Sequence, residues 1–168
     1  MALVDGRPKN APELKTVQSI EVSKYLGTWH EIARYPSSFE KGCPKATANY
    51  QLAQNGDITV VNTCYYNDGK VKAFKADAKV IKGSNNTKLA VNFAPIPLPK
   101  GNGNYWVIYV DKDYQHAIVA SPNGNFMWFL ARNEEISKSQ LNEMLLAAKS
   151  QLFDTDKLEI IGKISENN

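Results

Sequence analysis

The chain has 168 residues, 43% of them apolar and 22% charged, with two cysteines and a net charge of +3. That length holds one domain, the apolar fraction excludes wholesale disorder, and the longest apolar runs, six residues at 105–110 and 126–131, fall far short of the roughly 20 that a membrane-spanning helix needs. Two cysteines are too few for a disulfide-dense scaffold or a four-ligand zinc site, and 20 basic against 17 acidic side chains do not make a nucleic-acid-binding surface.

The first 20 residues carry two prolines, mixed charge and little periodicity, and read as a lead-in. They lack the basic start and long apolar stretch of a secretory signal. That leaves a cytoplasmic protein or a mature form whose signal has been removed. From residue 29 onward the texture changes to short apolar or alternating runs separated by turn residues. The runs cover residues 29–35, 46–52, 58–66, 71–81, 89–93, 105–110, 116–120 and 126–132, and they predict eight strands. Asn55-Gly56 and Asp68-Gly69 are the strongest short-range hairpin signals, because both residues of each pair tolerate positive φ. Links this short exclude parallel crossovers, so the strands form an antiparallel meander. Ser137 and Gln140 have capping-box spacing, and Leu141, Met144, Leu145, Ala148 and Leu152 follow on one face, which predicts a helix over 137–152. Residues 158–161 read as a short ninth strand and 164–168 as a polar tail.

Side-chain parity separates the two faces of each strand. Phe74, Ala76, Ala78 and Val80 share one face, with Lys75, Asp77 and Lys79 on the other. Ala48 groups with Tyr50, Ile58 with Val60 and Asn62, Leu89 with Val91 and Phe93, and Phe126 with Trp128 and Leu130. Eight strands can pack as a sandwich or close as a barrel, and closure removes the exposed edges. The inward set mixes aromatics with alanines and carries polar tips at Tyr50, Asn62 and Tyr105. That composition suits a mainly apolar pocket better than a densely interdigitated core, although a filled core stays open. The sixth run is apolar on both faces, and the helix is the element available to cover its outer side. The fold expected is all-β: an eight-stranded antiparallel up-and-down barrel with a C-terminal α-helix packed outside and a short ninth strand.

Catalytic chemistry has little to stand on. No nucleophile elbow, zinc-protease motif or phosphate loop is present, and His30 and His116 are lone histidines. No metal or cofactor is expected. Glu31 shares parity with Trp29; turned inward it is either a candidate acid with a raised pKa or a hydrogen-bonded structural carboxylate.

Gly27-Thr28-Trp29, just ahead of the first strand, resembles the Gly-x-Trp signature of the lipocalins. Residues 25–36, continued by Phe39-Glu40-Lys41-Gly42, are similar to the branch holding bacterial outer-membrane lipocalins, apolipoprotein D and plant temperature-induced lipocalins. The similarity continues through Ala48-x-Tyr50 and residues 56–62, 113–117, 128–132 and 153–158, so it spans a domain over 21–163. The family's Thr-Asp-Tyr motif is kept only loosely, across 110–114. The resemblance implies that Trp29 plugs the closed end of the barrel while Arg132 packs across its ring, a cation–π contact worth about 0.5–2 kcal/mol. It also implies a non-enzymatic carrier or store of small hydrophobic molecules, for this branch fatty acids or lysophospholipids. Parity then assigns the ligand to Tyr50, Val60, Asn62, Phe74, Ala76, Leu89 and Val91, with Phe93, Tyr105, Val107, Val119, Phe126 and Trp128. Lys72 and Lys100 either meet a carboxylate or phosphate at the mouth or are simply solvated.

The cysteines bear on compartment. With Asn55-Gly56 as the turn, Thr47 pairs near Cys64, Cys43 comes within reach of it, and some bacterial relatives look similar at both positions. A disulfide there closes a loop of about 20 residues and contributes about 3 kcal/mol. It points to an exported protein, periplasmic or held at an outer membrane by an anchor outside this sequence; two free thiols leave the cytoplasm open. Against the carrier stand a thiol-dependent, isomerase-like enzyme using Cys43 or Cys64, and a ligand-free interaction module. The partners expected are a small hydrophobic ligand and a membrane surface, not nucleic acid, with the protein a monomer or a homodimer.

Overall fold

The computed structural model describes residues 3–92 and 101–166, with the backbone alone at Phe39. A single helical turn, α1 (Val22–Tyr25), leads into β1 (Gly27–Arg34), and the loop after it contains a 3-10 turn at Ser38–Glu40. The meander follows as β2 (Ala46–Leu52), β3 (Ile58–Tyr65), β4 (Val71–Val80), β5 (Lys88–Val91), β6 (Tyr105–Val110), β7 (His116–Ala120) and β8 (Met127–Ala131). Next come β9 (Glu135–Ser137), α2 (Lys138–Ser150), β10 (Glu159–Ile160) and β11 (Lys163–Ser165).

Each strand from β1 to β8 pairs antiparallel with the next, and β1 also pairs with β8, so the eight strands close into a barrel. The hairpin between β2 and β3 turns at Gly56, whose φ of +87° a side chain would strain. It sets the register Leu52↔Ile58 through Ala46↔Cys64, with Thr47 opposite Thr63 and so next to Cys64, as expected. The ninth strand lies outside the barrel as β10, pairing with β1 at Ala33↔Ile160 and Arg34↔Glu159, beyond the point where β2 stops following β1.

Two bulges break the period-2 parity. In β1 the pairing with β8 shifts between Glu31 and Ala33; in β6 the pairing with β7 shifts between Val107 and Tyr109. An extra residue on one strand flips every later side chain to the other face. Arg34 is therefore paired with Trp128 on the inner face instead of pointing to solvent, and Tyr109 moves from the inner set to the outer one, packing on the outer core.

Apolar side chains form two cores, one inside the barrel and one outside it. The inner core runs from Trp29 through Val60, Ala78, Val91 and Val107. The outer core joins Ile32, Trp106, Ile118, Met127 and Phe129 to Met144 and Ala148 of α2. The expected helix does cover this face, and its expected capping box forms: Gln140 N–H donates to Ser137 Oγ and Ser137 N–H donates to Gln140 Oε1, both at 3.1 Å. The helix shares the work with the lead-in, whose Leu14 is 3% exposed in the same cluster. This strap bonds across the barrel wall from Gly6 N–H to Gly124 O (3.1 Å) to Val17 N–H to Val107 O (3.0 Å). Residues 163–165 pair in parallel with β9, which brings Ile164 of the expected polar tail against the outer core.

Candidate functional site

The closed end is built around Trp29, which is fully buried on the first inward position of β1. Its Nε1–H donates to the Tyr25 carbonyl at 2.8 Å, and the Arg132 guanidinium lies 3.8 Å from its ring centroid. Arg132 does more than stack. Its Nη2 donates to the carbonyls of Lys24 (2.8 Å) and Leu26 (3.0 Å), its Nη1 to Thr28 O (2.9 Å), and its Nε to Tyr114 O (3.2 Å). Two of these, Lys24 O and Leu26 O, are orphan carbonyls at the end of α1, while Thr28 belongs to β1 and Tyr114 to the β6–β7 loop, so one planar cation caps the turn and ties it to the base of the barrel. Gly27 lets the chain turn from α1 into β1 beside Arg132: its φ is +99°, a conformation that a side chain would strain.

Three phenols stand above the tryptophan. Tyr25 and Tyr105 share a short hydrogen bond, and the Tyr105 hydroxyl donates to Tyr50 at 2.9 Å. With that direction Tyr25 donates to Tyr105, and the Tyr50 hydroxyl hydrogen is not used within the trio. Burial pushes all three phenols above their ordinary pKa, so they stay neutral donors.

From there the barrel opens. The cavity has a volume of about 90 Å3, or about 750 Å3 of atom-free space when its open mouth is counted. Among the residues expected at the ligand, Tyr50, Asn62, Phe74, Tyr105, Val119 and Trp128 line it. Val60, Ala76, Leu89, Val91 and Val107 pack in the inner core instead, so the barrel is filled towards its base and hollow towards its mouth. Phe126 stacks on Trp128 with centroids 5.9 Å apart. Phe93 and Lys100 lie outside the described residues. Lys72, opposite Cys64 at the rim, rests its ammonium 5.8 Å from the Tyr66 ring.

The cavity wall also carries charge. Glu31 and Glu40 both line it, each 7% exposed. Arg34, 3% exposed, donates Nη1 to Glu40 Oε2 at 3.1 Å and Nη2 to the Cys43 carbonyl at 2.6 Å, and pairs with Glu159 at 3.2 Å. Trp128 Nε1–H donates to the other Glu40 oxygen at 2.9 Å. Glu31 holds its proton well above the usual carboxylate range: burial pushes it up, the charge of Glu40 adds to that, and Arg34 pulls back less strongly. Strand parity pointed to Glu31 alone. Arg34 was hidden by the bulge before it, and Glu40 comes from a loop with no periodicity to read.

Cys43 and Cys64 are joined in a disulfide that ties the loop after β1 to the end of β3, and neither is free. Among the described residues no three His, Cys, Asp or Glu side chains gather as metal ligands.

Comparison with known proteins agrees with this architecture. A lipocalin-like domain model matches residues 20–163. Temperature-induced lipocalin-1 of Arabidopsis thaliana is 34% identical over 154 residues, covering 87% of this chain and 81% of that protein. Outer membrane lipoprotein Blc of Escherichia coli K12 is 36% identical over 143 residues, covering 84% of this chain and 78% of that protein. Among solved structures, insecticyanin of the tobacco hornworm Manduca sexta superposes with a TM-score of 0.70 at 22% identity, over 95% of this chain and 88% of that one. With its tryptophan-plugged base, closed eight-stranded wall and open mouth, the chain belongs to the lipocalin family, whose members bind small hydrophobic ligands and are generally not enzymes.

Proposed function

We propose that this lipocalin binds single-chain lipids, fatty acids or lysophospholipids, and carries or stores them without transforming them. The observation that carries the reading is the cavity itself: blind at Trp29, open at the other end, walled mainly by Ala48, Phe74, Val119, Trp128 and Leu130, with a few polar tips. Its narrow free space favours a slim guest over a bulky ring system. Each buried methylene contributes about 0.8 kcal/mol, so about ten of them reach micromolar affinity unaided. Both cysteines are spent in the disulfide, which supports a binder over a thiol-dependent enzyme. The disulfide also supports export, and the Escherichia coli relative, named an outer membrane lipoprotein, supports work at a membrane surface.

Native mass spectrometry of delipidated protein mixed with oleate or a single-chain lysophospholipid tests this directly. A one-to-one adduct that survives gentle activation is the expected result. A spectrum of bare protein at every lipid concentration would remove the proposal and favour a ligand-free module.

A further inference from the structure

Among the described residues, buried carboxyl groups outnumber buried cations on the cavity wall. Two carboxyl groups, Glu31 and Glu40, are each more than nine-tenths buried on its wall, and one buried cation, Arg34, faces them. That guanidinium is already engaged by Glu40 at 3.1 Å, by Glu159 at 3.2 Å and by the Cys43 carbonyl at 2.6 Å. Glu31 Oε1 gets what is left: a 3.6 Å ion-pair contact with Arg34, beyond hydrogen-bonding reach, and no hydrogen bond from any described residue. None of the other described groups packed around it donates a hydrogen bond to this oxygen. Leu130 faces it from β8, Glu40 lies beside it from the 3-10 turn, and the Tyr50 phenol of β2 is close enough to feel its charge. A buried acceptor without a donor is costly to keep unless something that enters the cavity brings one.

We propose that the Glu31–Glu40 wall of the cavity receives the protonated primary amine of a single-chain amphiphile and discriminates against the carboxylate of a fatty acid. The inference rests on the reading that the cavity holds a lipid chain, and it selects among such chains by headgroup. A primary ammonium brings N–H donors for Glu31 Oε1 and one positive charge for the second carboxylate. A fatty-acid carboxylate would add a third negative group around one guanidinium. An alcohol brings a donor but no charge. In the empty cavity the proton on Glu31 plays the part of the missing cation, and a bound ammonium displaces it. Amine affinity therefore rises with pH until Glu31 is already ionised in the free protein, by at most about tenfold per pH unit for one proton released. Carboxylate affinity, which needs Glu31 protonated, stays level over that range and falls once Glu31 ionises in the free protein.

Calorimetric titration of the full chain with dodecylamine, dodecanoate and dodecanol, in two buffers of different ionisation heat, tests the inference. The wild-type protein is expected to bind dodecylamine about tenfold or more tighter than dodecanoate near neutral pH, with proton release on binding the amine. Glu31→Gln keeps the shape of the side chain but loses its ionisable oxygen; it is expected to erase the proton release and bring the two affinities within about threefold. The buffer comparison on the wild-type protein stands by itself if the variant does not fold. Dodecanol binding with dodecanoate equal to or tighter than dodecylamine, or amine binding with no proton release, would overturn the headgroup inference and leave the lipid cavity standing. Failure of all three ligands to bind would overturn the cavity reading and the inference with it.

Discussion

Removing the Arg34 guanidinium would leave Glu40 buried with its charge uncompensated, because Arg34 supplies its close ion pair and is itself 3% exposed. Breaking one side of a buried pair typically costs about 3–5 kcal/mol, whereas removing both charges together costs much less. Arg34→Met is therefore expected to lower unfolding stability in urea by about that amount, and Arg34→Met with Glu40→Gln to recover a large part of it. Glu31 carries a different signature. Its pKa is raised in the folded state by burial and then by Glu40, so the folded protein keeps a proton that the unfolded chain gives up above about pH 4.3. That contribution to stability is complete below the ordinary carboxylate range and is lost as pH rises toward the raised value, at up to about 1.4 kcal/mol per pH unit. Glu31→Gln should flatten this decline in a pH series of denaturant melts; a decline identical to wild type would mean that the carboxyl is ionised throughout. Sequence reasoning could see Glu31, because it shares parity with Trp29. Arg34 and Glu40 stayed hidden for a physical reason: a single extra residue at the β1 bulge reverses parity, and loops have none.

At the level of elements, the hairpins were the most legible part, since Asn55-Gly56 and Asp68-Gly69 declare their turns locally and the β2–β3 register brings Thr47 near Cys64 as expected. The capping box declared the start of α2 in the same local way. The lead-in was not legible. Its prolines and mixed charge carry no period, and its order comes from tertiary contacts: Leu14 buried in the outer core, and backbone bonds reaching Gly124, Val107 and Asn85. The strap and the helix both cover the outer face of β6, β7 and β8, so truncating either anchor should cost stability. Leu14→Ala and Met144→Ala, at side chains 3% and 0% exposed, are each expected to lower stability by about 2–5 kcal/mol in thermal or urea unfolding. A loss under about 1 kcal/mol for Leu14→Ala would show that the strap rests on the barrel without supporting it.

The molecule as a whole divides along the barrel axis into a sealed, filled base and a hollow upper half. Strand parity marked the inward residues without revealing this division, because alternation says which face a side chain takes and not how high in the barrel its neighbours fill the space. Val60 and Asn62 alternate identically in β3, yet one packs in the core and the other lines the cavity. The Cys43–Cys64 bridge fastens the mouth of the hollow half. Replacing both cysteines by serine should lower stability by about 3 kcal/mol and the melting temperature by about 6–12 °C. The central claim, that the hollow half takes a lipid chain, is tested most directly by titrating a brominated twelve-carbon alcohol against tryptophan fluorescence. Trp128 lines the cavity, while Trp29 and Trp106 are 0% and 2% exposed in the base and the outer core. Saturable quenching at about micromolar concentration, abolished in Trp128→Phe, is the result this account predicts. An absence of quenching, or quenching of the same size in Trp128→Phe, would contradict it.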